Sequence, residues 1–340
     1  MSRPEFPIID LHCDLLAYLW LGEIQKLKRS AHDECSRAAI PQLKRGGVKV
    51  QTLAIFVLPK RDATRGGEIQ TEIFARMLER EQDHVRPISS ASDLESSDER
   101  IGLIAALEGG STFAEEDEPL DRALERFDAF EKRLGRILYV SLTWNHETRF
   151  GGGNTTKTGL KADGRVLLEY LSGRGIAVDL SHTSHALADG ILDTIYAKDL
   201  DIPVLASHSN FAALNDLPRN LPPEIAAEII RRDGVIGINF LLRFLGSPAP
   251  EGMIEQFQHA RQIGGGKHSV FGADFFYDQD VPAHMRRDDQ PDFADDFGDA
   301  SCYPRLLDQL GDQLKLDREA VEDLAWRNAQ RFMTRVLKAS

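Results

Sequence analysis

The chain has 340 residues, 42% of them apolar and 28% charged, with 54 acidic against 41 basic side chains and a net charge of −13. That is globular composition with ample material for a large core. An acidic balance without a basic cluster repels phosphate backbones and argues against nucleic acid, and no apolar run reaches the ~18 residues of a membrane helix.

At the start, Arg3 and the apolar residues after it have the outline of a signal peptide, but Glu5, Asp10, His12 and Asp14 break it. Three widely spaced cysteines, Cys13, Cys35 and Cys302, give neither a disulfide framework nor a CxxC zinc site. Free buried thiols in a reducing compartment are expected, and with them a cytoplasmic protein. The acidic runs "AEEDEPLD" and "DDQPDFADDFGD" read as solvated loops.

Eight short apolar segments then recur in order: 6–10, 48–57, 100–108, 136–144, 175–182, 202–209, 234–240 and 268–274. Most are continuously apolar, as parallel strands buried on both faces are. Helical patterns lie between them. Segment 163–175 places Val166, Leu167, Tyr170 and Leu171 on one face and ends at glycine; 221–234 opens on prolines and ends on arginines. The chain closes on a long amphipathic helix over 317–337. No repeat, linker or composition shift divides it. The expectation is one domain over 1–340, an α/β fold of the closed (β/α)8 TIM-barrel type.

Unusual polar residues collect at the carboxyl ends of these segments: His12 and Asp14 after the first, Glu108 ending the third, His182 the fifth, His208 the sixth and Asp274 the eighth. In a (β/α)8 barrel those ends form one rim, the face that carries active sites. Any one of these residues alone reads as an ordinary buried or surface side chain. Their joint placement makes a nitrogen and oxygen ligand set suited to zinc. The expected arrangement puts His12 and Asp14 on one metal and His182 and His208 on a second, about 3.5 Å away, with Glu108 bridging. A hydroxide between two cations is available near neutral pH. The glycines of "LEGG" admit close backbone approach to Glu108. His185 is expected on the following helix, outside the ligand set, and His32, His84, His259, His268 and His284 carry no assigned role.

Two glycine clusters fail as phosphate loops. "GGGKHS" (264–269) precedes a strand and lacks the GxxxxGK[ST] spacing, while "FGGGN" (150–154) has no helix start next to it and reads as a flexible loop over the mouth.

The segments "IIDLHCDL", "ALEGG", "SLTWNHE", "GLKADGRVLLEYLSGRGIAVDLSHTS", "PVLASHSNFAALNDLPRNLP" and "FGADF" run in an order that resembles the membrane (renal-type) dipeptidases, binuclear zinc peptidases of the amidohydrolase superfamily. The resemblance spans nearly the whole chain. It implies two zinc ions per subunit on His12, Asp14, Glu108, His182 and His208, matching the arrangement reached from placement. It further implies Asp274 as the acid–base residue that takes a proton from the attacking bridging hydroxide and passes it to the leaving amine. Arg219, eleven residues after His208, corresponds to the arginine that grips the substrate carboxylate. Family members are often homodimers.

Two departures bear on the substrate pocket. Renal members carry a histidine directly after the strand-four "LT"; here Trp144 holds that slot, and His146 replaces the histidine if the strand continues that far. After Asp274 the family often shows a second acid, where this chain has Phe276. The expected activity is hydrolysis of the single amide of a free dipeptide, including L-Xaa-D-Xaa. The alternatives are a related metal-dependent amidohydrolase acting on N-acyl amino acids or small lactams, and a non-catalytic ligand-binding barrel. Retention of Asp274 argues against the last.

Overall fold

The eight apolar segments form one parallel sheet that closes on itself. The computed structural model describes residues 5–282, 286 and 291–338. His284 and part of the acidic run 288–299 therefore lie outside the described residues. Strands β1 (Ile8–Cys13), β2 (Val48–Phe56), β4 (Ile101–Glu108), β5 (Ile137–Ser141), β6 (Ala177–Asp179), β7 (Val204–Ala206), β8 (Val235–Ile238) and β9 (Ser269–Phe271) pair in a ring. The β2–β4 pairing closes it, skipping a three-residue strand β3 (Val85–Pro87) that pairs with the start of β4. All pairings in the ring are parallel. Every residue of the ring strands is buried except Lys49 and Phe56, as continuous apolar runs flanked on both faces require. The result is a (β/α)8 barrel, as expected.

Several boundaries differ from the sequence reading. β1 runs on to Cys13, so His12 is itself a strand residue, whereas β5 stops at Ser141. Helix Ala162–Leu171 buries Leu167 and Leu171, but Val166 is exposed. The C-terminal helix is not continuous: a π-helical turn, Asp323–Arg327, separates Arg318–Glu322 from Asn328–Lys338. Cys13 and Cys302 are buried and free, but Cys35 is exposed, its Sγ 3.1 Å from the Tyr18 hydroxyl. Phe293 and Phe297 are buried, so the second acidic run is anchored in the core at those points and is not simply a solvated loop.

The last helix explains which end of the barrel is available for chemistry. Ala329, Phe332, Met333, Val336 and Leu337 pack against the interior residues Ile9, Leu11, Val50, Leu138, Leu205 and Val270. Asn328 Nδ2 donates to the carbonyl of Ser269, the first residue of β9, at 2.8 Å. The helix thus plugs the amino-terminal mouth with apolar side chains, of which Phe332, Met333, Val336 and Leu337 contribute about 1.5–3 kcal/mol each on burial. The carboxyl-terminal rim is left to the βα loops.

Candidate metal centre

The rim residues are delivered by the ends of five strands, two of them by β1. His12 is the second-last residue of β1, and Asp14 follows as the cap of helix Leu15–Gln25. Glu108 is the last residue of β4, and Gly109 at φ 87° turns the chain directly behind it, a conformation that favours glycine. His182, His208 and Asp274 lie just past β6, β7 and β9. His182 and Asp274 both adopt left-handed backbone, at φ 65° and 63°. Such strain costs about 1–2 kcal/mol per residue and concentrates at functional sites.

These side chains converge. Glu108 Oε2 lies 3.3 Å from His12 Nε2, while its Oε1 lies 3.0 Å from His182 Nε2 and 3.6 Å from His208 Nε2. The potential ligand atoms of His12, Asp14 and Glu108 fall within 4.8 Å of one another, as do those of Glu108, His182 and His208. The two sets share only Glu108, each through a different oxygen. Asp274 Oδ1 stands 3.7 Å from His12 Nε2, and its Oδ2 accepts from Asn239 Nδ2 at 2.8 Å.

Hydrogen bonds behind the histidines fix their tautomers. Tyr139 donates its hydroxyl to the Leu11 carbonyl at 2.9 Å, so it can only accept from His12 Nδ1, 2.7 Å away. Ser207 donates to Asp179 Oδ2 at 2.6 Å and thus accepts from His208 Nδ1, also at 2.6 Å. Asn145 Oδ1 accepts from His182 Nδ1 at 2.7 Å. All three Nε2 atoms are therefore aimed at the shared centre, the outer-shell pattern of metal-ligating histidines. Nε2 of His182 and of His208 then face each other at 2.9 Å with no proton between them. That contact is repulsive unless a cation sits beside it. His12 Nε2 and Asp14 Oδ1 are buried without any hydrogen-bond partner. The donor set fits one or more divalent cations.

The electrostatics agree. Burial and the neighbouring His12 and Arg219 hold His208 neutral far below the ordinary imidazole range; burial and Arg219 push His182 down to about 3. Burial opposes charge on His12, but the Glu108, Asp274 and Asp14 carboxyls overcome it and raise His12 to about 10. Burial would raise Glu108 as well, yet His12 and the other two histidines hold it well below the carboxylate range. Burial lifts Asp274 to about 6, against the pull of His12. The proton on His12 thus occupies the place of a cation among carboxylates.

Of the residues singled out in the sequence, His12, Asp14, Glu108, His182, His208 and Asp274 meet at one point. Arg219 is buried beside them, its guanidinium donating to Ser209 Oγ at 2.9 Å and to the His208 carbonyl at 2.8 Å. Trp144 lines the wall, its ring 5.9 Å from that of His182 and 5.1 Å from Phe56. His146 does not reach the centre. The extended chain that would carry it inward ends at Ser141; His146 is exposed and its Nδ1 sits 3.3 Å from Thr155 Oγ1. The turn presents Asn145 instead. Phe276 packs against Phe293 with ring centroids 5.2 Å apart. His185 is exposed at the start of helix His185–Ala197. Gly151–Gly153, expected as a flexible loop, are buried: a Cβ on Gly153 would lie 2.0 Å from the Trp144 carbonyl. Close approach, not flexibility, requires glycine there.

Tyr139, Asn145, Asp179, Ser207 and Asn239 were not anticipated. Asp179 and Asn239 carried a signal, since each is a polar side chain inside or ending an apolar strand segment.

Comparison with known proteins agrees with this geometry. The sequence pattern described as membrane dipeptidase (peptidase family M19) matches residues 3–340. The chain belongs to the M19 membrane dipeptidase family. It is accordingly a metal-dependent hydrolase of the dipeptidase class. An uncharacterized Klebsiella pneumoniae protein encoded in the pqqA 5′ region is 28% identical over 288 residues, 78% of this chain and 94% of that protein. Among solved structures, a metallo peptidase described as dipeptidase AC superposes with a TM-score of 0.81 at 22% identity, over 98% of this chain and 99% of the other. A Rhodobacter sphaeroides metallo peptidase, liganded with a phosphinate mimic of the dipeptide L-Ala-D-Ala, gives 0.79 at 21%, over 98% and 100%. Among the described residues of this M19 protein, no helix is long and apolar enough to cross a membrane.

Proposed function

We propose that this M19 protein is a zinc dipeptidase with two zinc ions per subunit, hydrolysing the amide of free dipeptides, including those with a D-residue at the carboxyl end. The single observation that carries the reading is the division of Glu108: one oxygen faces His12, the other faces His182 and His208. His12 and Asp14 would hold one ion and His182 and His208 the other, with Glu108 shared. When bound, the ions supply Lewis acidity toward the scissile carbonyl and lower the pKa of water at the site.

The chain's own groups do the rest. Asp274, steadied at Oδ2 by Asn239, accepts a proton at Oδ1 from the attacking water and returns it to the leaving amine. Arg219, held by Ser209 and the His208 carbonyl, offers a buried guanidinium to the α-carboxylate of the substrate. Trp144 closes one wall against the substrate and sheds water there. The mimic bound by the Rhodobacter sphaeroides relative supports the inclusion of D-residues.

The test has two arms. Metal analysis of protein purified without chelators should give about two zinc per chain; fewer than about one would sink the binuclear reading. A screen of L–L and L–D dipeptides beside N-acyl amino acids and small lactams should show turnover confined to dipeptides. Turnover of the acyl amino acids or lactams alone would replace the dipeptidase by the related amidohydrolase.

A further inference from the structure

Arg219 is not the only guanidinium at the rim. Arg243 lies on the short helix Leu242–Leu245, directly beyond the carboxyl end of β8, while Arg219 lies on the loop beyond β7. The two arginines share one aromatic ring: the guanidinium carbon of Arg219 is 5.5 Å from the centroid of Phe244 and that of Arg243 is 5.0 Å from it. Asn220 and Asn215, on the Arg219 loop, donate to the carbonyls of Phe244 and Arg243 at 3.0 and 3.2 Å. The two cations are therefore held in a fixed relation by a shared ring and by hydrogen bonds between their segments.

Arg243 is poorly satisfied. Its Nε is buried with no hydrogen-bond partner, and the nearest carboxylate among the described residues, Asp292, stands 3.9 Å from its terminal nitrogen. That is an ion pair at its outer limit, not a fork closed on a carboxylate. Among the described residues its charge meets only the Phe244 ring and this long ion pair, and its side chain stays partly open to solvent. An anion arriving from solvent would close that fork.

We infer that Arg243 forms a subsite for a second carboxylate on the substrate, so that the enzyme favours dipeptides whose carboxy-terminal residue is acidic. This rests on the dipeptidase reading above. Arg219 takes the α-carboxylate, and the side-chain carboxylate of the same residue, a few bonds away, reaches Arg243. An aspartyl or glutamyl side chain fits this demand, and its neutral amide isostere does not.

The test compares alanyl-glutamate with alanyl-glutamine, each with the carboxy-terminal residue in the L and the D form, on the zinc-loaded enzyme. The expected kcat/KM ratio, acid over amide, is tenfold or more for the preferred enantiomer. It should shrink as salt rises and screens the pair. In Arg243→Gln the ratio should fall toward one, and Arg243→Lys should keep part of it. A wild-type ratio of one or below overturns the inference, as does a ratio that Arg243→Gln leaves unchanged while both substrates slow alike. That last outcome would make Arg243 a loop tether to Asp292. Failure to hydrolyse any of these dipeptides would instead sink the dipeptidase reading, and the subsite with it.

Discussion

The hydroxyl of Tyr139 stands 2.7 Å from Nδ1 of His12 and hands its own proton to the Leu11 carbonyl. This one phenol keeps a proton on Nδ1 of His12 and so reserves Nε2 for the centre. In Tyr139→Phe the buried Nδ1–H loses its acceptor, and both tautomers become available. Zinc affinity at the His12 and Asp14 half should fall ~10–100-fold. The half held by His182 and His208 should keep its affinity, because Asn145 and Ser207 are untouched. Chelator competition resolves the two; an equal loss at both would mean that Tyr139 supports the fold and not the ligand.

Asp274→Asn removes a carboxylate while keeping its shape and its contact with Asn239. The variant should retain its metal, since Glu108, Asp14 and the three histidines remain. Its kcat should drop ~10²–10⁴-fold, the usual contribution of a positioned general acid–base. Steady-state kinetics with parallel metal analysis checks this, and activity within threefold of wild type would rule out the acid–base role.

Metal uptake should release protons. In the metal-free protein His12 titrates near 10, against an ordinary 6.5, because Glu108, Asp274 and Asp14 surround it. It is therefore protonated at pH 8, and its Nε2 must lose that proton to ligate. Calorimetry of zinc binding at pH 8 in buffers of different ionisation enthalpy should show at least one proton released. The sign for stability follows from the same shift. The folded pKa is raised, so the stabilisation of metal-free protein is complete below about 6.5 and is lost as pH climbs through about 10. Thermal melts of metal-free protein that rose across that window would contradict the assignment.

At the opposite end of the barrel, Phe332→Ala should cost about 3–5 kcal/mol, as truncations of buried phenylalanine do. Phe332 is 2% exposed in the plug of the amino-terminal mouth. Urea unfolding measures the loss. Metal content and kcat of the folded fraction should not change, because the plug fills the mouth opposite the ligand-bearing rim.

The sequence announced the ligands because each is a polar side chain at the end of an apolar run, and a parallel barrel gathers such ends on one rim. The supporting residues were harder to read. Tyr139 looks like any buried aromatic of a strand, and only the closed barrel brings its hydroxyl from β5 across to His12 on β1. β3 was missed because three residues ending in proline give no periodicity to detect. The fourth apolar segment, 136–144, outruns its strand because "SLTW" is as apolar as a strand, while the ladder of β5 ends at Ser141. The placement of Asn145 and His146 depended on that ending.

One contact at this turn reaches further than its residue type suggests. Gly153 packs under the Trp144 carbonyl and bridges to Thr183, next to His182, while Asn154 N donates to the His182 carbonyl at 2.8 Å. The glycine segment is a clasp between the turn that carries Asn145 and the strained residue that Asn145 steadies. A side chain at position 153 would open that clasp and free the imidazole to spin. Its symptom would be a leaky metal site rather than a failed fold, at a residue with no functional group to suggest it.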